Sequence, residues 1–319
     1  MPMILLSAPF RLLAIGLLAI GLLAIASLGS VGRTVAGEAL PVVASFSILG
    51  DLTQQIGGDR VQVYTLVGAG ADAHVYQPTP SDARTLSRAR LVIVNGLGFE
   101  GWIDRLIKSS GYRGARVVAS QGIHALRQPR AHAGKPADPH QHPGDLDPHA
   151  WQDLANARRY VANIAAALGE ADPANRSVYQ ANAARLEQAM AILDGEIRAT
   201  FNVLPAERRK VVSSHDAFAY FSRAYGIRFI APVGVSTDAE PSAGEVGAII
   251  RQIRQERIKA MFVENITDPR LLERISRESG ARIGGTLYSD SLAKPGSAAD
   301  SYLGMMRQNA KTLAAALAD

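Results

Sequence analysis

The chain contains no cysteine. That excludes a disulfide framework, a thiolate metal site, a cysteine nucleophile and lipid attachment through an N-terminal cysteine. Any metal site must therefore be built from imidazole and carboxylate. Two chemical signatures are missing as well. There is no HExxH helix, so a zinc protease site has no support, and there is no GK[S/T] phosphate loop. The glycine-rich pieces VGAGAD and GLGFEG lack the full dinucleotide fingerprint. Lys and Arg outnumber Asp and Glu, 34 against 29. These cations are scattered without interleaved aromatics, which reads as solvated surface and not as a nucleic-acid interface.

Long apolar runs are confined to one place. Arg11 precedes LLAIGLLAIGLLAIASLG, and small residues follow it. A basic residue, an apolar stretch and then small residues describe a secretory signal over residues 1–36, with cleavage after Ala36 or nearby. A retained membrane anchor is the alternative, because the run is long for a signal. No other run is apolar enough to span a bilayer. Removing the leader leaves roughly 280 residues, which suits two lobes.

From residue 41 onward, short apolar runs alternate with helical stretches. PVVASF, VQVYTLVG, LVIVNG and ARVVAS read as strands in the first half, and KVVSSH, IRFIAPVGV, AMFVEN and ARIGGTLY in the second. The spacers carry helix signals. Pro80 with the Ser81-Asp82 pair opens one helix, and Ser242 with Glu245 forms a capping box on another. Strands alternating with helices predict βαβ units and parallel sheets. The expected class is α/β, with two lobes that are each a roughly four-stranded parallel sheet flanked by helices. The first lobe would span 37–172 and the second 206–319. Between them, residues 173–204 contain a single internal glycine, Gly195, and no proline after Pro173. One helix of roughly 45 Å would make a linking spine over 173–205; two shorter helices meeting at Gly195 are the alternative.

Residues 124–148 break the rhythm. The segment carries five prolines and four of the chain's seven histidines, His124, His132, His140 and His142. It reads as a surface loop that either captures metal weakly through His140-x-His142 or carries its histidines incidentally.

Four other segments each offer one metal ligand. They are DAHVYQPTP with His74, DLDPHAW with His149, SSHDAF with His215 and LYSDSL with Asp290. They divide two and two between the halves, so only a tertiary fold can gather them. Three imidazoles and one carboxylate suit a four-coordinate borderline cation such as zinc. Three of the four lie beyond the carboxyl ends of strands, where open parallel sheets bind ligands. Each also has an ordinary structural role open to it. His74 fits a turn, His149 a helix start, His215 a cap beside Asp216, and Asp290 a turn with Ser289 and Ser291. Asp72, Glu100 and Glu264 are candidate carboxylate partners for the imidazoles.

At DAHVYQPTPSDA, VNGLGFEGW, DPHAW, SSHDAFAYFSRAYG and YLGMMRQNAKTL the chain resembles the metal-binding solute receptors of ABC importers, the zinc and manganese group called cluster A-I or cluster 9. The resemblance covers residues 40–319. It implies two α/β lobes joined by one long helix, a metal held at their interface by His74, His149, His215 and Asp290, and delivery to a membrane permease. Gln77 stands where the family usually has glutamate. The His-containing loop and the third histidine, His215, lean toward zinc, with manganese the alternative. The expected protein is a periplasmic monomer that captures Zn2+ and is not an enzyme. A zinc hydrolase would need three protein ligands and an open position for water, with Asp216 as its nearest base. A metal-binding surface adhesin is the remaining alternative.

Overall fold

The computed structural model describes residues 38–128 and 146–318. The leader and the stretch holding His132, His140 and His142 fall outside the described residues, and the expectations placed on them fall outside with them.

Two four-stranded parallel sheets form, with the same strand order relative to their own numbering. The first is β2-β1-β3-β4 and the second β6-β5-β7-β8. β1 (Leu40–Phe46) is central in the first sheet. It pairs with β2 (Val61–Val67) in the register Leu40↔Val61 to Phe46↔Val67, and with β3 (Leu91–Val94) at Val42↔Leu91. β4 (Ala115–Val118) closes that sheet. Val42, Val43 and Ala44 are each fully buried. An apolar run without alternation belongs to a strand covered on both faces, as parallel sheets are. In the second sheet β5 (Lys210–Val212) lies between β6 (Arg228–Ile230) and β7 (Ala260–Glu264), and β8 (Arg282–Leu287) is an edge.

The helices of the first half are α1 (Ser47–Gly57), α2 (Pro80–Arg88), α3 (Ile103–Ser110) and α4 (Leu154–Ala171). α2 starts one step earlier in its capping logic than Ser81-Asp82 suggests. Thr79 is the N-cap, Asp82 returns the bond to the Thr79 N–H at 2.6 Å, and Pro80 occupies the first turn. The missing N–H of proline is harmless there. In the second half come α6 (Ala219–Tyr225), α7 (Ala243–Glu256), α8 (Arg270–Ser279) and α9 (Tyr302–Ala318). The Ser242/Glu245 capping box forms as expected.

Between the halves runs α5 (Arg176–Asn202), a single helix of 27 residues that Gly195 does not interrupt. Its buried residues are Tyr179, Ala183, Leu186, Met190, Leu193, Ile197 and Phe201. They recur every three or four positions, which is one stripe on a helix. The N-terminal part of α5 is tied to the first half, where Asn182 Nδ2 donates to the Ile56 carbonyl at 2.8 Å. Its C-terminal part is tied to the second half. Arg198 Nη1 donates to the Ala224 carbonyl at 2.6 Å, and Tyr225 donates to Asp194 at 2.9 Å. One large apolar core, from Val42 through Trp151 and Leu193 to Met306, extends across both sheets.

Gly195 is exposed, and a Cβ built there meets nothing within 4 Å. Glycine in an exposed helix interior is less stable than alanine by about 0.5–1 kcal/mol. Gly195→Ala should therefore raise the thermal midpoint by about 1–3 °C while leaving the far-UV spectrum unchanged. A lower midpoint would mean that α5 needs a flexible point there.

Candidate metal centre

The four proposed ligands come together. One donor atom from each of His74, His149, His215 and Asp290 lies within 4.8 Å of all the others. His74 Nε2 stands 3.3 Å from His149 Nε2 and 3.2 Å from Asp290 Oδ2. His215 Nε2 is 3.2 Å from the same Asp290 Oδ2, and His149 Nε2 is 3.5 Å from Oδ1. The side chains of His149, His215 and Asp290 are wholly buried, and that of His74 is 5 % exposed.

The topology explains the convergence. His215 follows β5 and Asp290 follows β8, both beyond carboxyl ends of strands in the second sheet. His74 lies in the connection from β2 to α2, again past a carboxyl end. His149 precedes a short 3-10 turn (Ala150–Gln152) that leads into α4. His124 is exposed and outside the cluster.

A carboxylate grips the backbone of each histidine. The His74 N–H donates to Asp72 Oδ1 at 2.8 Å, the His149 N–H to Asp147 Oδ1 at 2.9 Å, and the His215 N–H to Glu264 Oε1 at 2.9 Å. Two of these carboxylates also reach the ring. His149 Nδ1 is 2.8 Å from Asp147 Oδ1, and His215 Nδ1 is 2.6 Å from Glu264 Oε2. The hydrogen bond of Asp147 to His149 Nδ1 favours the proton there and turns Nε2 toward the centre, and Glu264 stands at ion-pair distance from His215 Nδ1. Glu264 thus stands beside an imidazole as expected, whereas Asp72 holds only the His74 backbone N–H and reaches no ring. Asp147 was not anticipated, although its signal is in the sequence: Asp72 and Asp147 each precede their histidine by two residues, as DAH and DPH.

Glu100 is different. It touches no imidazole and accepts instead from Ser45 Oγ at 2.6 Å, the Asn95 N–H at 2.6 Å and the Gly96 N–H at 3.2 Å. The reason is the turn that follows β3, where Gly96, Leu97 and Gly98 all have positive φ. That turn directs N–H groups at the buried carboxylate. Its effect on the centre is indirect: Asn95 Nδ2 donates to the Pro148 carbonyl at 3.0 Å, steadying the residue before His149. An aromatic wall also escaped sequence reasoning. The Phe99 ring lies 4.7 Å from that of His74, and Trp151 lies 5.3 Å from His149. Phe46 packs against both at about 5 Å.

Charge in the cluster is strongly coupled. Burial alone would raise the Asp290 carboxyl, but the His149 and His215 imidazoles overturn this and hold it well below the usual carboxylate range. Burial alone would lower both imidazoles. Asp290 and Asp147 instead push His149 up to about 9, and Glu264 with Asp290 lifts His215 well above its ordinary value.

Two sheets, a linking helix and a sealed cluster of three imidazoles and one carboxylate define a metal-binding solute receptor of the ABC-importer type. Comparison with known proteins agrees. The family model described as ZnuA, zinc-uptake complex component A, periplasmic, matches residues 42–316, and the chain belongs to that family. It is 33% identical over 289 residues to the manganese ABC transporter substrate-binding lipoprotein PsaA of Streptococcus pneumoniae, covering 88% of this chain and 90% of the relative. It is 34% identical over 286 residues to the manganese-binding lipoprotein MntA of Halalkalibacterium halodurans, covering 90% and 91%. Among solved structures it superposes on the periplasmic zinc binding protein TroA of Treponema pallidum with a TM-score of 0.80, at 28% identity, covering 88% of this chain and 99% of that one. The protein is a metal-binding substrate-binding component of an ABC importer, which works with a membrane permease, and not an enzyme.

The raised imidazole sets a pH dependence with a definite sign. His149 has an ordinary value of 6.5 and a folded value of about 9. Its protonated form stabilises the metal-free fold fully below pH 6.5, and that contribution is lost as pH rises through about 9. The thermal midpoint of chelator-treated protein should fall by about 5 °C or more between pH 6.5 and 9. A flat profile would contradict the charge balance described.

Proposed function

We propose that His74, His149, His215 and Asp290 hold a zinc ion as transported cargo, which the protein carries through the periplasm to its permease. One observation carries this reading. Asp290 is wholly buried, and its oxygens face only the three imidazole Nε2 atoms, at 3.2–3.5 Å, with no well-formed hydrogen bond from any other group. Buried polar atoms without partners are rare, and a carboxylate is the most expensive of them. A cation at the centre would satisfy all of these atoms together.

The spacing supports zinc. With metal–ligand bonds of about 2.0–2.1 Å, the donor atoms of a tetrahedron stand about 3.3 Å apart. Four of the contacts, at 3.2, 3.2, 3.3 and 3.5 Å, are of that order, and all four donors lie within 4.8 Å of one another. Nitrogen-rich sites hold zinc far more tightly than manganese, which prefers carboxylate and water. The tight enclosure also disfavours the added waters of a six-coordinate ion. Relatives are named for both metals, PsaA and MntA for manganese and TroA for zinc. For this chain the donor set favours zinc.

All four ligands come from one chain, so a monomer suffices. The fourth position is occupied by Asp290, which leaves none open for the water of a hydrolase. The apolar N-terminal segment is read as the export signal, with the lobes over 37–172 and 206–319 and the linker over 173–205. The exposed His124 and the loop after it are read as auxiliary.

Competition titration with zinc and manganese tests the reading. The unmodified protein should prefer zinc by at least about a hundredfold. His215→Ala should weaken zinc binding by orders of magnitude, and Asp290→Asn should weaken it while leaving three imidazoles to retain the ion with a water. Equal or tighter manganese binding would contradict zinc as cargo. Undiminished zinc affinity in both variants would contradict the site itself.

A further inference from the structure

A second cleft lies at the opposite end of the second sheet, where the strands begin. It encloses about 820 Å³ and is lined by Arg254, Arg257, Lys259 and Arg282, over a floor that includes Ile253 and Ile283. Lys259 and Arg282 stand at the starts of β7 and β8. β8 is six residues long, so the cleft is roughly 20 Å from Asp290. No acidic residue lines it. Arg254 is used in part, donating through Nη2 to the Glu278 carbonyl at the end of α8. Arg257, Lys259 and Arg282 are exposed and form no ion pair among the described residues.

The backbone of Arg257 is the second observation. Four helices end on a residue in the left-handed conformation. α3, α6 and α8 use glycine for it, at Gly111, Gly226 and Gly280. α7 uses Arg257, with φ 54° and ψ 41°. Glycine is the favoured residue at such a cap because it has no Cβ to strain. Among the described residues only Leu97 shares a positive φ with Arg257 outside glycine. This cap places the Arg257 side chain in the lining of the cleft.

We propose that this cleft binds a phosphate-bearing anion. Guanidinium groups match phosphate oxygens through paired N–H donors, and several unneutralised cations around one hollow suit an anion with more than one charge. The apolar floor accommodates the less polar part of an organic phosphate. The site is independent of the metal centre and does not rest on the cargo assigned to it.

The metal-loaded full chain should be titrated with pyrophosphate, and separately mixed with vesicles of phosphatidylglycerol or phosphatidylcholine, at about 100 mM salt so that loose surface attraction is screened. Binding of pyrophosphate at one site per chain is expected, weakened about tenfold or more by Arg257→Gly and by Arg282→Gln. Arg257→Gly relieves the strained cap, so it should melt at the same temperature as the parent or higher while losing the anion. Variant-sensitive binding to phosphatidylglycerol vesicles alone would place the phosphate on a lipid headgroup, and variant-sensitive binding of pyrophosphate alone would make it a free anion. Absence of both, or binding that neither substitution changes, would overturn the proposal.

Discussion

The structure depends on a carboxylate sealed from water with only imidazoles beside it. Asp290 is wholly buried, and its oxygens face the Nε2 atoms of His74, His149 and His215. Such a group persists only beside positive charge. A protonated imidazole or a bound cation would provide it. Protons and metal compete for the same centre, which links affinity to pH directly. The carboxylates beside His149 and His215 belong to the same balance: Asp147 favours the proton on His149 Nδ1, and Glu264 stands at ion-pair distance from His215 Nδ1.

Asp290 is held mainly by the half of the molecule to which its strand does not belong. The Ser289 carbonyl accepts from Trp151 Nε1 at 2.9 Å and from Gln152 Nε2 at 2.7 Å. Ser291 Oγ accepts from the Gly70 N–H at 2.7 Å, and the Leu292 N–H donates to Ser47 Oγ at 3.0 Å. Asp290 is therefore fixed alongside His74 and His149, while His215 and Glu264 rest on the second sheet. At the rim, Thr237 donates to Asp72 Oδ2 at 2.6 Å, and the other oxygen of Asp72 holds the His74 N–H. That pair joins a loop of the second half to the backbone of a candidate ligand in the first. α5 is bonded to the first half near one end and to the second near the other.

Much of this was legible in the residues. The inner strands read clearly because doubly covered strands are continuous apolar runs, as in LVIV of β3, while the edge strands such as β8 are more exposed. The single span of α5 was favoured by its lack of internal proline, but a break at Gly195 stayed open until the structure showed one unbroken helix. The absent cysteine limits any metal site to imidazole and carboxylate, and the four ligands were picked out by their segments and by the family resemblance those segments carry. What was not legible depends on tertiary contact. Thr237 sits far in sequence from Asp72, and no local pattern pairs them. Phe99 and Trp151 look like ordinary core aromatics until their rings are seen beside the imidazoles. Glu100 looked like a partner for a histidine, and only the left-handed turn at Gly96–Gly98 shows why its carboxylate faces backbone N–H groups instead.

The most direct test of the central claim is X-ray absorption spectroscopy at the zinc edge on protein loaded with one equivalent of metal. Three imidazoles and one carboxylate oxygen predict four light-atom ligands at about 2.0–2.1 Å, with the multiple-scattering pattern of three imidazole rings. Six-coordination, or a signal from fewer than three imidazoles, would contradict a closed centre built from His74, His149, His215 and Asp290.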